Sequence, residues 1–203
     1  KYKKIKMAAR YQQQMNIALE RIDQGLARVH SMVKRGKNAD AIYFMENDLK
    51  ELFENLQNLI NIEPSSNNSK IGHLKKLKIL TETLKERMMF APASTKDWFN
   101  NAFPGGYLDH VLRVNKIANQ LHNLYVWHKA NIESYTEEEL NFVSLFSQLG
   151  KLGDWDNEYF TKNDSDWHVK NLGMVYKFNE NVPAMKIYDR TIYLLQDASI
   201  KLS

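Results

Sequence analysis

The feature that most constrains this chain is the three- and four-residue recurrence of apolar side chains along its first third. Between residues 7 and 33, Met15, Ile17, Leu19, Ile22, Leu26, Val29 and Val33 return mainly at such steps. Between residues 40 and 62, Ile42, Met45, Leu49, Leu52, Phe53, Leu56, Leu59 and Ile60 share one stripe. A strand turns alternate residues to one side, so stripes of this period bury their apolar side chains together only if the chain is helical. Gly36-Lys37-Asn38 interrupts the two runs, which lets two antiparallel helices zip together across a short turn. The spacing thus predicts an N-terminal helical hairpin over residues 1–63. Its face holds no convergent polar cluster, so we read it as an appendage that packs on the main domain or on another copy of itself.

The remainder also reads as helical. "EPSSNNSK", residues 63–70, has the Ser, Asn and Pro content of a loop, and the domain boundary is expected there, leaving residues 64–203 as the main domain. A helix over residues 73–89 turns Leu74, Leu77, Leu80 and Leu84 inward, and Pro92 ends it. In "ASTKDW", Ser94 with Asp97 three residues on resembles a capping box, which predicts a short helical turn. Gly105-Gly106 opens a helix to about Trp127, and Thr136 N-caps another through "TEEEL". After Gly153 the pattern is irregular and aromatic, and a last helix begins near Met185. The expected fold class is all-α.

Composition removes several classes of function. The chain of 203 residues has no cysteine, which excludes disulfides, thiolate zinc sites and thiol catalysis. It has neither a membrane-length apolar run nor a signal-peptide pattern, so no membrane association and a cytoplasmic location are expected. A bare Lys at the start and "IKLS" at the end are read as the marks of a fragment, truncated at its C-terminus. The net charge of +4 is concentrated in Lys1, Lys3, Lys4, Lys6 and Arg10 and in Lys70, Lys75, Lys76 and Lys78. Solvated helix faces explain such runs more often than nucleic-acid binding does, which stays a weak alternative.

Two stretches carry the functional question: "FPGGYLDHVLRVNKIA", residues 103–118, and "SQLGKLGD", residues 147–154. Within the longer segments "MMFAPASTKDWFNNAFPGGYLDHVLRV" and "FVSLFSQLGKLGDWDNEYF", and with "DSDWHVKNLGMVYKFNENVPAMKIYDRTIYLLQ" downstream, residues 88–196 resemble the HD-domain metal-dependent phosphohydrolases. The pattern is similar to that of members from large tailed bacteriophages. The resemblance implies an HD-domain-like helical bundle after the hairpin and, for a phage-encoded chain, the host cytoplasm as its location.

Metal-dependent phosphoester hydrolysis needs a histidine nitrogen and anionic oxygens converging on a divalent ion whose bound water becomes the nucleophile. By the resemblance His110 stands at the first ligand position, but Ser147 replaces the paired histidine and Gln148 the paired aspartate. A hydroxyl and a neutral amide bring no charge to hold the ion. The family's later aspartate belongs to a helix beyond the match, and neither Asp189 nor Asp197 sits in its motif. The resemblance therefore implies no catalytic residue, no metal and no cofactor. Lys151 matches a lysine that contacts a substrate phosphate in many relatives, and Gly105-Gly106 lead into a helix N-terminus, where N–H groups favour anions. The alternative for these three is that they simply shape a turn.

The expected function is that of a degenerate phosphohydrolase-like protein that binds a nucleotide or a protein partner without catalysis. One alternative is an active phosphohydrolase on nucleotides or nucleic acid, which would need a divalent transition metal from unconventional ligands. Another is a phage structural or assembly protein that associates with itself through the hairpin. Other residues are weaker candidates. His122 and His128 are six apart, too far around a helix for a ligand pair. Asp154, Asp156, Glu158, Asp164, Asp166 and His168 lack the glycine and glutamate of a calcium loop and are read as turn formers. The tryptophans and tyrosines near them are read as core rather than a base-stacking platform.

Overall fold

The computed structural model describes residues 68–99, 101–129 and 135–200, and before them positions 13, 17, 20, 24, 27, 31, 47, 49–51 and 53–58, all helical. The chain divides into two compact units, Lys1–Lys85 and Glu86–Ser203. The described residues are mostly helical, with two short strands. Among them no helix is long and apolar enough to cross a membrane.

The predicted hairpin lies for the most part outside the described residues. Within the first unit, Leu49, Phe53 and Leu56 of the second predicted stripe are buried, whereas Ile17 of the first is exposed. Helix α1, Asn68–Thr83, starts inside the stretch read as a boundary loop. It buries Leu77 and Leu80, and Leu84 just beyond it is buried as well. Gln57 Nε2 donates to Thr81 Oγ1 at 2.6 Å, and the Lys85 ammonium sits 5.3 Å from the centre of the Phe53 ring. These contacts place α1 with the preceding residues, so the two units meet at 85/86 where the sequence reading divides the chain at 63/64.

Helix α2, Lys85–Phe90, follows a one-residue interruption at Leu84, and Pro92 lies just beyond it as expected. Ser94 caps no helix. The backbone of this segment is committed elsewhere: Tyr176 N–H donates to Thr95 O at 3.0 Å, Asp97 N–H to Gly173 O at 2.9 Å, and Lys96 bridges Met174. Tertiary pairing here overrides a local capping pattern.

Helix α3, Gly106–Trp127, and helix α4, Glu137–Phe146, form the centre of the second unit. Thr136 caps α4 as predicted, accepting from Glu139 N–H while the Glu139 side chain returns to Thr136 N–H at 2.7 Å. The two helices run antiparallel, because Asn115 Nδ2 donates to Asn141 Oδ1 (2.7 Å) and Ser144 Oγ (2.8 Å), while Asn119 Nδ2, one turn on, reaches Asn141 Oδ1 at 2.8 Å. These amides are buried, as are Leu108, Val111, Leu112 and Leu145. Sliding α4 by a turn would strand them, at about 1–3 kcal/mol for each unpaired group, so the polar seam fixes the register. This register brings the start of α3 level with the end of α4.

After α4 comes a short 3₁₀ turn, Leu149–Leu152. The aromatic stretch then forms an antiparallel ribbon of β1, Phe160–Lys162, and β2, Tyr176–Phe178, with Phe160 opposite Phe178. Helix α5, Asp166–Leu172, connects them, and α6, Ile187–Asp197, follows. The ribbon is a small addition to a mostly helical fold. Its strands are three residues long, too short to print a period-two pattern, and their pairing is non-local.

Candidate functional site

The site is built at the meeting of α3, the 3₁₀ turn and the segment after α2. Gly105 has a φ of 86°, a left-handed conformation that glycine adopts without steric cost, and it begins α3. At Gly106 an added Cβ would lie 1.9 Å from the carbonyl oxygen of Asn101, so no side chain fits there. The N–H groups at this helix start are engaged, Gly106 with Phe103 O and Tyr107 with Ala91 O, each at 2.9 Å. The free anion-binding N–H groups expected at this glycine pair are thus occupied at Gly106 and Tyr107. What the glycines provide is close backbone packing.

Lys151 sits on the 3₁₀ turn, half-buried, and its ammonium donates to Ala93 O at 3.0 Å. Its pKa lies below the usual lysine value because burial disfavours the charged form. His110, on the first turns of α3 and also half-buried, has a lowered pKa through burial and through the positive charge of Lys151, partly opposed by Asp109. The two side chains therefore share one electrostatic environment, which disfavours the imidazolium form. Asp109 is fully buried and tied to Arg113 Nε (3.0 and 3.1 Å) and Asn101 Nδ2 (2.5 Å). Among the described residues no carboxylate lies within ion-pairing distance of Lys151. An ammonium has three donors, and one is used by Ala93.

Ser147 and Gln148 join α4 to the 3₁₀ turn at the level of His110 set by the antiparallel register. Ser147 is the C-cap of α4, with its N–H on Val143 O at 3.0 Å, and Gln148 O accepts from Lys151 N–H at 2.9 Å. Helix α6 clamps this turn. Gly150 N–H donates to Thr191 Oγ1 at 2.8 Å, Thr191 Oγ1 donates to Ser147 O at 3.3 Å, and Arg190 donates to Gly150 O at 3.0 Å. Arg190 is buried, donates also to Pro183 O and Met185 O, and lies 4.5 Å from the centre of the Tyr159 ring. Gly150 has no room for a Cβ, which would meet Ile187 O at 2.1 Å. The turn that carries Lys151 is fixed from beneath.

Sequence reasoning missed this clamp and the Ala93 contact. The Asp109–Arg113 pair was detectable, since opposite charges four apart on a helix face one another.

The weaker candidates resolve into local structure. His122 is buried, with Nδ1 3.4 Å from Tyr135 Oη and Nε2 3.7 Å from Glu137, while His128 is exposed at the end of α3. Asp154 accepts from the N–H groups of Asp156 (2.9 Å) and Asn157 (2.6 Å), and its pKa falls because those hydrogen bonds outweigh burial. Arg87 holds the same turn through the carbonyls of Asp154, Trp155 and Asn157. Asp164 pairs with Lys177 at 2.9 Å, and Asp166 with Lys170 at 3.6 Å. Trp167, read as core, is exposed on α5, and Phe178 of the ribbon is exposed as well. Among the described residues no three His, Cys, Asp or Glu side chains cluster as a metal site.

Compared with known proteins, the chain matches no family model, no curated protein and no solved structure.

Proposed function

We propose that the Glu86–Ser203 unit is an HD-domain-like binding module that takes a phosphate-bearing ligand, a nucleotide, at Lys151 beside His110, and that it does not hydrolyse it. One observation carries this reading: a half-buried ammonium that donates to Ala93 O and, among the described residues, has no carboxylate within ion-pairing distance, beside His110, whose pKa is lowered. Holding a lysine in a partly desolvated place costs stability, and an anionic ligand would offset that cost by restoring the partner that water supplied. In its neutral form His110 can donate or accept one hydrogen bond at the same ligand. Ser147 and Gln148 supply no charge for a divalent ion, which favours binding over metal-assisted hydrolysis.

The test is titration calorimetry of the full chain with inorganic triphosphate and with ATP, with and without Mn²⁺. The reading expects binding that needs Lys151 but no metal, with no phosphate released. Failure of both probes to bind at millimolar concentration would remove the phosphate site. Manganese-dependent phosphate release abolished by His110→Ala would replace this reading with that of an active phosphohydrolase.

A further inference from the structure

The loop that follows Ala93 returns at Asn101, where Ala93 N–H donates to Asn101 O at 3.0 Å. The same Ala93 accepts the Lys151 ammonium through its carbonyl, and Asn101 Nδ2 reaches Asp109 and Gly106 O at the start of α3. The neck of this loop is thus part of the Lys151 site. Beyond the neck the loop carries Trp98, 61% exposed, and Phe99, 52% exposed, with their rings edge to face at 6.4 Å. The Lys96 ammonium lies 5.3 Å from the Trp98 ring centre and 5.6 Å from that of Phe99.

An exposed tryptophan by itself carries no meaning, but this one is seated. Residue 173 is a left-handed glycine at φ 53°, and a Cβ there would stand 2.2 Å from Trp98 Cζ3 and 2.7 Å from Cε3. Asp97 N–H donates to Gly173 O at 2.9 Å, which ties the neighbouring backbone to the same glycine. The indole therefore packs one edge on bare backbone while most of its surface faces solvent. Trp98 and Asn101 are three positions apart, so their Cα atoms are at most about 11 Å apart. Asn101 in turn is bonded to Ala93, the residue that holds the Lys151 ammonium, so the indole lies close along the chain to the neck of the phosphate site.

We infer that Trp98, with Phe99 and Lys96 beside it, is the stacking platform for the base of a nucleotide whose phosphates lie on Lys151, an inference that rests on the phosphate-binding reading above. Aromatic faces hold bases with little preference among them, because every base presents a π-face. The ligand class is accordingly a nucleoside polyphosphate with loose base selectivity. Lys96 adds a second positive charge beside the ring.

Parallel calorimetric titrations of ATP and of inorganic triphosphate test this on the full-length wild type and on Trp98→Ala, Trp98→Phe and Lys151→Ala. ATP should bind the wild type at least tenfold more tightly than triphosphate. Trp98→Ala should erase that advantage without changing triphosphate affinity, Trp98→Phe should keep most of it, and Lys151→Ala should weaken both probes. The triphosphate arm also reports whether Trp98→Ala has folded. If triphosphate binds but ATP binds no better, or if Trp98→Ala leaves the ratio unchanged, the platform is overturned and the phosphate site stands. If neither probe binds the wild type, the phosphate site falls and the platform with it. ATP binding that needs Trp98 but ignores Lys151 would overturn the joint site.

Discussion

The ammonium of Lys151 donates to the carbonyl oxygen of Ala93 at 3.0 Å, joining residues 58 positions apart in the chain. This bond holds a cation at the start of α3 in a place where burial already depresses its pKa. A side chain kept charged at such a cost is a candidate for removal without loss of fold. We expect Lys151→Met to leave the melting temperature unchanged or raise it, while binding of inorganic triphosphate weakens tenfold or more, corresponding to roughly 1.4 kcal/mol. Thermal melts and calorimetry on the same preparation check both halves. A large drop in melting temperature would mean that the Ala93 contact is chiefly structural.

His110 predicts a pH dependence. Its folded pKa lies below 6.5 through burial and Lys151, so between that lowered value and 6.5 the unfolded chain binds more protons than the folded one. Stability then rises with pH across this window, is fully present above 6.5, and is lost as pH falls through the folded value. His110→Asn should flatten the slope of melting temperature against pH in the acidic range below 6.5. An unaltered slope in the variant would assign the effect to another group.

Thr191 tests the clamp. Its hydroxyl accepts from Gly150 N–H and donates to Ser147 O, and it is buried, so Thr191→Val keeps the shape and strands a buried N–H. The expected destabilisation is about 1–3 kcal/mol in denaturant unfolding. Triphosphate affinity should fall as well, because the turn beneath Lys151 loosens. Thr191→Ser, which restores the hydroxyl, should recover the affinity.

Gln148→Asp adds the one charge that the family resemblance would call for, yet Ser147 still leaves the histidine nitrogen missing. The variant should release no phosphate from ATP or from a model phosphodiester with Mn²⁺ present. Turnover by this single substitution would show that a neutral residue at position 148 was the only obstacle to catalysis.

Much of the helical content was legible because its signals are local. Thr136 with Glu139 is a cap written within four residues, and Leu77, Leu80 and Leu84 lie one helical turn apart, so their burial on one face follows from the helix itself. The same locality misled at Ser94 and Asp97. Their spacing matches a cap, but the backbone between them pairs with residues 173–176, and such pairing has no local trace.

By itself the sequence determined that the chain is mostly helical, where α3 and α4 begin, and that positions 147 and 148 are neutral. Only the tertiary structure decided that His110 and Lys151 share one environment, that Thr191 and Arg190 hold the turn between them, and that Trp98 stands on Gly173. The physical reason lies in the partners. Ala93, Gly150 and Gly173 enter these contacts through backbone atoms or through the lack of a side chain. Every residue carries a carbonyl and all but proline an N–H, so no letter in the sequence marks which of them the fold will use.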